Sequence, residues 1–222
     1  MGNVHSFAAS YDEARDKFLA AARVAGATTY RYDNPRKGPK GEALSTDVAR
    51  IGPDDASRVV ATISSTHGVE GYCGSGFQVD WLASVGAAGL PKDTAAVFVH
   101  AINPYGFAWT RRVTEEGNDL NRNYVDHGKL YPVNEGYLEI ADFLVPKGLD
   151  QPTLDAADAK LSAYREKVGD IAYFRAVSGG QYSHPDGMFF GGGGPAWSNR
   201  TLHAITDKFL KRRSDVAVIG SP

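Results

Sequence analysis

Residues 58–76, with the sequence RVVATISSTHGVEGYCGSG, carry the strongest sequence signal for the fold. The first part is an apolar, largely β-branched run, which is typical of a strand buried on both faces of a sheet. His67 and Glu70 follow it, together with four glycines. Glycine lets the main chain bend where other residues resist. The stretch therefore predicts a buried strand that breaks into a polar, glycine-rich turn.

The segments around this stretch have the pattern of an α/β protein. Residues 76–89 show helical spacing and residues 94–103 form a second buried strand, so strand, helix and strand predict a parallel crossover. We predict a mostly parallel, twisted mixed sheet flanked by helices, in a single domain over residues 1–222. The remaining predicted elements are helices at 6–25, 135–145, 152–177 and 198–212, and strands at 28–35, 45–52 and 215–219, the last also buried.

Composition excludes several classes of partner. The chain of 222 residues is 42% hydrophobic and 23% charged, as in ordinary globular proteins. Its net charge of −2 gives no general attraction to nucleic acid or to anionic membranes, and no apolar run approaches the length of a membrane span. The amino-terminal segment lacks the apolar stretch of a secretory signal, and the single cysteine, Cys73, fits a reducing compartment. We expect a cytoplasmic protein that binds neither nucleic acid nor membrane.

The pair formed by His67 and Glu70 allows two interpretations. Imidazole and carboxylate are both good zinc ligands, and ligands bind at the carboxyl ends of strands in open α/β sheets. The alternative is an ordinary strand exit with a hydrogen-bonded histidine. The pair by itself leaves both interpretations open.

A second polar motif follows the next predicted strand. Residues 103–124 read NPYGFAWTRRVTEEGNDLNRNY and contain Arg112, Asn121 and Arg122. A guanidinium group is a planar set of donors that matches a carboxylate. A solvated loop with surface arginines would give the same composition, so this motif alone does not establish a site.

Taken together, the order and spacing of these motifs resemble the zinc carboxypeptidase superfamily. The motifs are STHGVEGYCGSG, the segment at 103–124 and the later SGGQYSHPDGMFFGG and WSNRTL, and the resemblance covers roughly residues 8–219. The superfamily contains metallocarboxypeptidases and deacylases of the succinylglutamate desuccinylase and aspartoacylase type. The resemblance thus implies a zinc-carboxypeptidase-like fold and a zinc-dependent hydrolase of an amide bond next to a carboxylate.

The resemblance also implies a role for each candidate residue. His67 and Glu70 match the first two ligands of one zinc ion, and Arg112 matches the arginine that polarises the scissile carbonyl. Asn121 and Arg122 match the pair that holds the substrate carboxylate. The expected partner is therefore a small molecule or peptide with a free carboxylate.

The sequence departs from the family pattern near its end. The third zinc ligand of the family is a histidine that follows a late strand, and here the strand at 215–219 is followed only by Gly220, Ser221 and Pro222. The catalytic glutamate has no counterpart either, so we expect a chain whose carboxy-terminal part is missing. Such a chain exposes a sheet edge, and we expect it to associate. His184 and His203 are weaker alternatives for the third ligand.

Two other functions remain open. A truncated or degenerate, non-catalytic member of the family would keep only the carboxylate-binding cleft. A hydrolase without metal would use Ser64, Ser65, Ser75 or Cys73, although the sequence has no nucleophile elbow and a small cysteine is more often buried.

Overall fold

A computed structural model describes residues 4–220. In these residues the five strands are β1 Thr28–Lys37, β2 Ala43–Ile51, β3 Arg58–Ile63, β4 Thr94–His100 and β5 Asp215–Gly220. Over the same range the α-helices are α1 Tyr11–Val24, α2 Gly71–Ser84, α3 Pro104–Ala108, α4 Leu120–Asn123, α5 Glu135–Leu144, α6 Gln151–Val168, α7 Asp170–Ser178 and α8 Trp197–Phe209.

The strands form one mixed sheet in the order β1-β2-β4-β3-β5. β2 pairs antiparallel with both β1 and β4, while β3 pairs parallel with β4 and β5. Four strands therefore run in one direction and only β2 opposes them. The predicted α/β class, with a mostly parallel mixed sheet flanked by helices, is confirmed.

Helices α1 and α2 bury their apolar sides against the central strands. Phe18 of α1 and Leu82 of α2 join Ile51 of β2 and Phe98 of β4 in one core cluster. α1 begins at Tyr11 because the side chain of Ser10 accepts a hydrogen bond from the main chain of Glu13 and so satisfies one of the free amide groups of the first turn.

The fully buried amide of Gln78 fixes α2 to the parallel strands. Its Nε2 donates to the main-chain oxygens of Thr62 and Val99, while its Oε1 accepts from the hydroxyl of Ser64. A buried amide is tolerated only when its donors and acceptors are satisfied. These bonds hold α2 at the carboxyl ends of β3 and β4.

The predicted glycine-rich turn is instead a short 3₁₀ turn, Gly68–Glu70, that leads directly into α2. At Gly71 and Gly76, neighbouring side chains leave no room for a larger residue. A Cβ atom at Gly71 would lie 2.7 Å from the hydroxyl of Ser65, and one at Gly76 would lie 2.6 Å from the ring of Phe7. The helix therefore begins at Gly71 rather than at the predicted residue 76, and it ends at Ser84 rather than at residue 89.

The helix predicted over residues 152–177 is two helices. α6 ends at Val168 and α7 begins at Asp170, because Gly169 has a φ of 83° that a right-handed helix does not accept. The long predicted loop at 107–134 is mostly irregular, apart from the last residues of α3 and the single turn α4.

Strand β5 was predicted to be buried, and this is wrong. All six of its residues are exposed, and β5 lies at the edge of the sheet with only β3 beside it. An apolar, β-branched run indicates a strand, but burial depends on what packs against it, and among residues 4–220 nothing covers this strand.

Because the edge strand β5 is exposed, we expect copies of the chain to associate through it. A charged side chain placed on this strand should reduce that association. Changing Val218, which is 54% exposed, to lysine should raise the monomer fraction, because a lysine on an edge strand opposes pairing with another chain. The free energy of unfolding should change by no more than about 0.5 kcal/mol. Light scattering after size exclusion measures the effect, with Val24→Lys on α1 as the matched control. A wild-type chain that is already monodisperse and monomeric contradicts the expectation.

The chain divides into two compact units. One contains the residues up to Glu115 and those from Trp197 onward, including the sheet, and the other is Glu116–Ala196. The single-domain interpretation stays a prediction. No helix in residues 4–220 is both long and apolar enough to cross a bilayer.

Candidate metal and substrate site

The polar motifs begin where β3 and β4 leave the sheet side by side. Pairing continues past the strands, since the amide of Ser64 donates to Val99 O at 3.0 Å and the amide of Asn103 donates to Ser65 O at 3.2 Å. Ser65 and Ala101 then adopt left-handed φ values of 64° and 57°. Both segments turn sharply at the same edge, so the residues that follow them are brought together.

His67 and Glu70 lie in contact on the 3₁₀ turn after β3. The Nδ1 atom of His67 is 3.1 Å from Oε2 of Glu70, and the two atoms form a hydrogen bond. The imidazole is almost buried, with 9% of its side chain exposed, whereas 37% of the glutamate side chain is exposed. The two side chains thus converge, which fits both a pair of metal ligands and the hydrogen-bonded histidine of an ordinary strand exit.

The main chain of Arg112 lies against the same turn. The amide of Gly68 donates to Arg112 O at 3.4 Å, the amide of Val69 donates to Arg111 O at 3.2 Å, and Nδ2 of Asn103 donates to Arg112 O at 3.4 Å. This approach requires glycine, because a Cβ atom at Gly68 would lie 1.9 Å from the carbonyl carbon of Gly106. The structure therefore brings Arg112 to the turn that carries His67 and Glu70.

The donor atoms of His67 and Glu70 fit part of a zinc site. Two ligands of a tetrahedral zinc ion at about 2.0–2.1 Å lie roughly 3.3 Å apart, close to the observed separation. A catalytic zinc site needs three protein ligands. Within residues 4–220, however, no group of three His, Cys, Asp or Glu side chains is placed to hold a metal ion. Neither His184 nor His203 completes such a group there, so His67 and Glu70 match two of the three protein ligands that such a site needs.

Asn121 and Arg122 lie in the second unit, on the single turn α4. Asp119 begins this turn by accepting a hydrogen bond from the amide of Asn121 at 3.0 Å. The side chain of Asn121 is exposed and that of Arg122 is half-buried. Nη2 of Arg122 donates to Ser178 O at 2.7 Å, at the end of α7. The guanidinium is thus already paired within its own unit.

Three neighbours that the sequence did not single out fix the main chain of this turn. The hydroxyl of Tyr182 donates to Arg122 O at 2.6 Å, and Nε2 of His127 lies 2.9 Å from Asn123 O. A carbonyl oxygen only accepts, so Nε2 of His127 carries the proton. The buried side chain of Asn123 donates to Gly191 O and to Gly194 O, at 2.8 and 2.9 Å. The glycine run at 191–194 is the only visible signal for this contact.

Residues 7–220 match the family model described as a protein of unknown function, DUF2817. The chain belongs to the DUF2817 family. No curated protein matches it in sequence.

Three solved structures are similar to this DUF2817 chain to different degrees. Thrombin activatable fibrinolysis inhibitor is similar with a TM-score of 0.51 and 11% identity, over 96% of this chain and 48% of that one. A glutaminyl cyclase from Fimbriiglobus ruber gives a TM-score of 0.31 and 13% identity, over 40% of this chain and 36% of that one. A Zn-dependent exopeptidase from Parabacteroides distasonis gives a TM-score of 0.35 and 13% identity, over 96% of this chain and 76% of that one.

The first of these structures confirms the zinc-carboxypeptidase-like fold predicted from the sequence. The DUF2817 chain spans less than half the length of the inhibitor and of the cyclase. At this identity the likeness supports the superfamily resemblance at the level of fold.

Ser75 is poorly placed to act as a nucleophile in this DUF2817 chain. Oγ of Ser75 lies 2.9 Å from Nε2 of His100, but the serine and the histidine are both buried. A substrate cannot reach a pair enclosed in the core. Cys73 is exposed, contrary to the buried position expected for it. This geometry disfavours the serine-hydrolase alternative.

Proposed function

We propose that this chain carries part of the active site of a zinc-dependent hydrolase that cleaves an amide bond next to a carboxylate. The observation that supports it is the gathering of His67, Glu70 and the main chain of Arg112 at the carboxyl end of β3. The peptidase and deacylase forms of this reaction share the same chemistry at this point, so the proposal includes both.

His67 and Glu70 would hold the zinc ion through an imidazole nitrogen and a carboxylate oxygen. When bound, zinc supplies Lewis acidity that activates water and polarises a carbonyl. The glycine contact at Gly68 sets the position of both ligands relative to Arg112, because it fixes the turn on the segment that leads to the arginine.

Arg112 would contribute positive charge where negative charge develops on the carbonyl oxygen. One well-placed donor of this kind contributes about 3–4 kcal/mol to transition-state stabilisation. Asn121 and Arg122 would bind the substrate carboxylate, which orients the amide bond for attack. The proposed substrate is an N-acyl amino acid or a peptide with a free carboxylate.

A second candidate is a non-catalytic protein that binds carboxylates but holds zinc weakly. It is favoured by one observation, namely that residues 4–220 contain no group of three metal-binding side chains. For either candidate we propose the cytoplasm as the compartment and neither nucleic acid nor membrane as a partner, on the basis of the single thiol and the net charge of −2.

Zinc binding distinguishes the two candidates. The hydrolase proposal expects about one zinc ion per chain by elemental analysis after purification, with hydrolysis of hippurate that a chelator abolishes and zinc restores. His67→Ala should lower zinc affinity more than about 100-fold. Even the mutation of a residue that only hydrogen-bonds to a metal ligand lowers metal affinity about 10–100-fold. The matched control is His203→Ala, an exposed histidine on α8.

Two other results would contradict the hydrolase proposal or its metal site. A folded chain that retains no zinc, does not hydrolyse hippurate and is unchanged by His67→Ala would support the non-catalytic candidate. Zinc loss in His203→Ala as large as that in His67→Ala would place the metal elsewhere.

A further inference from the structure

A cavity of about 310 Å³ lies between α5 and residues 183–187, within the second unit. Its volume is at the lower end of the roughly 300–1,000 Å³ that is usual for ligand sites. Buried Tyr137 and Ala141 line its inner part, and exposed charged side chains line its opening. None of its residues supplies a ligand or a donor in the candidate metal and substrate site, and we call it the His184 pocket.

The loop that carries His184 is held in one conformation by Gln181, whose side chain is 1% exposed. Its Oε1 accepts from the amides of Ser183 and His184 at 2.9 and 2.8 Å, and its Nε2 donates to His184 O at 2.7 Å. Phe189, two residues beyond the pocket, has a left-handed φ of 54°, which a bulky residue rarely adopts. Preformed and strained segments of this kind are common at binding sites.

The hydroxyl of Tyr137 is left without a partner in the inner part of the pocket. Tyr137 is fully buried, yet no atom of residues 4–220 forms a hydrogen bond of normal geometry with its Oη. Burial raises the pKa of this hydroxyl, which a weak contact with the main chain of Met188 lowers by less, so the hydroxyl is a donor. A Cβ atom at Gly187 would lie 2.3 Å from Oη, so only glycine leaves room beside it. A buried donor without an acceptor is destabilising, and a ligand oxygen in the pocket would supply the acceptor.

The charged side chains that line the pocket do not neutralise one another. Within residues 4–220, Lys147 forms no ion pair with Asp142 or with Asp186. Nδ1 of His184 lies 2.8 Å from Oγ of Ser183, while its Nε2 has no hydrogen bond in the described part of the chain. Groups of opposite charge that line one pocket without touching are complementary to a ligand that carries both charges.

We propose that the His184 pocket binds a free α-amino acid with an aliphatic side chain. Its carboxylate would accept a hydrogen bond from the Tyr137 hydroxyl and be attracted by Lys147. Its ammonium group would be attracted by the carboxylates of Asp142 and Asp186. Both charges of the ligand would then be compensated, as the binding of a charged group requires.

The apolar part of the lining selects the side chain of this ligand. Ala141, Val145 and Pro185 present carbon atoms to the cavity. An aliphatic side chain would bury apolar surface there without adding a third charge. Leucine is therefore a suitable probe.

Calorimetry with the whole chain tests the pocket. L-leucine should bind to the wild type. Two analogues each lack one charge: 4-methylpentanoate has no ammonium group, and leucinamide has no carboxylate. Each should bind at least about tenfold more weakly than leucine, the effect of losing one charge-assisted interaction.

Tyr137→Phe separates a role in ligand binding from a role in folding. Because the hydroxyl is unpaired in the free chain, the variant should unfold at the same or a higher denaturant concentration than the wild type. It should nevertheless bind leucine at least about tenfold more weakly. Lys147→Gln should also weaken binding, whereas Lys160→Gln, which changes an exposed lysine of α6 outside the pocket, should not.

Four results would overturn the proposal. They are absence of leucine binding, binding of 4-methylpentanoate as tight as that of leucine, unchanged leucine affinity in Tyr137→Phe, and lower stability of Tyr137→Phe, which would make the hydroxyl structural. Loss of leucine binding in Arg122→Gln but not in Tyr137→Phe would place the amino acid at the candidate substrate site and overturn it as well. Zinc content and hippurate hydrolysis do not depend on this pocket, so they test the proposed hydrolase separately.

Discussion

Replacing Gly68 with alanine should destabilise the protein by at least about 3 kcal/mol, more than overpacking usually costs. The new Cβ atom would lie 1.9 Å from the carbonyl carbon of Gly106 and 2.2 Å from the amide nitrogen of Phe107. Both are main-chain atoms, so no side-chain rotation relieves the clash. The turn that carries His67 and Glu70 must then separate from the segment of Arg112.

Denaturant unfolding of Gly68→Ala measures this loss, and Gly193→Ala is the control. A Cβ atom at Gly193 meets nothing within 4 Å, and its φ is not in the left-handed region. The control should change stability by less than about 1 kcal/mol. If Gly68→Ala unfolds at the same denaturant concentration as the control, the close packing of the two segments is wrong. Any zinc affinity should fall together with stability in Gly68→Ala.

Acid should destabilise the fold through His100. The imidazole stacks on Phe18 with ring centres 4.5 Å apart, and burial lowers its pKa from 6.5 to about 4, although the charge of Asp47 opposes this. Between these two pH values His100 is protonated in the unfolded chain but neutral in the folded chain. The contribution of His100 to the free energy of unfolding is therefore fully present above about pH 6.5 and is lost as the pH falls towards 4. The full loss is about 3 kcal/mol.

The charged groups that act on His100 are Asp47, which favours the imidazolium, and Arg15, which opposes it. These two also form an ion pair at 2.6 Å. Unfolding curves from pH 4 to 7 should therefore be compared between wild type and His100→Gln, which cannot titrate. The variant should lose most of the slope in this window, while the exposed His203→Gln should keep it. Equal slopes in wild type and His100→Gln would show that His100 is not the group responsible.

The sequence predicts those parts of the site that depend on local spacing. His67 and Glu70 are three residues apart after a strand, so their contact follows from the turn. The position of Arg112 does not, because it depends on hydrogen bonds between main-chain groups of separate segments. The same limit applies to Arg122, since no local pattern places its guanidinium on the carbonyl of Ser178.

Burial was less predictable than element type. The apolar runs of β3, β4 and β5 look alike in sequence, yet β4 lies inside the sheet and is wholly buried, whereas β5 lies at the edge and is wholly exposed. Glycine was ambiguous for a similar reason. Gly71 and Gly76 suggested a bend, but they lie within a helix whose neighbours leave no room for a side chain.

The pairing of β3 with β5 has a consequence for the order of folding. Ile63 pairs with Gly220, so the loop closed by this contact includes most of the chain, whereas β1 and β2 are joined by a short connection. Closing a long loop costs more chain entropy than closing a short one, and contacts distant in sequence form slowly. We therefore expect β1, β2, β4 and β3 to assemble first during synthesis and refolding, and β5 to join this sheet last.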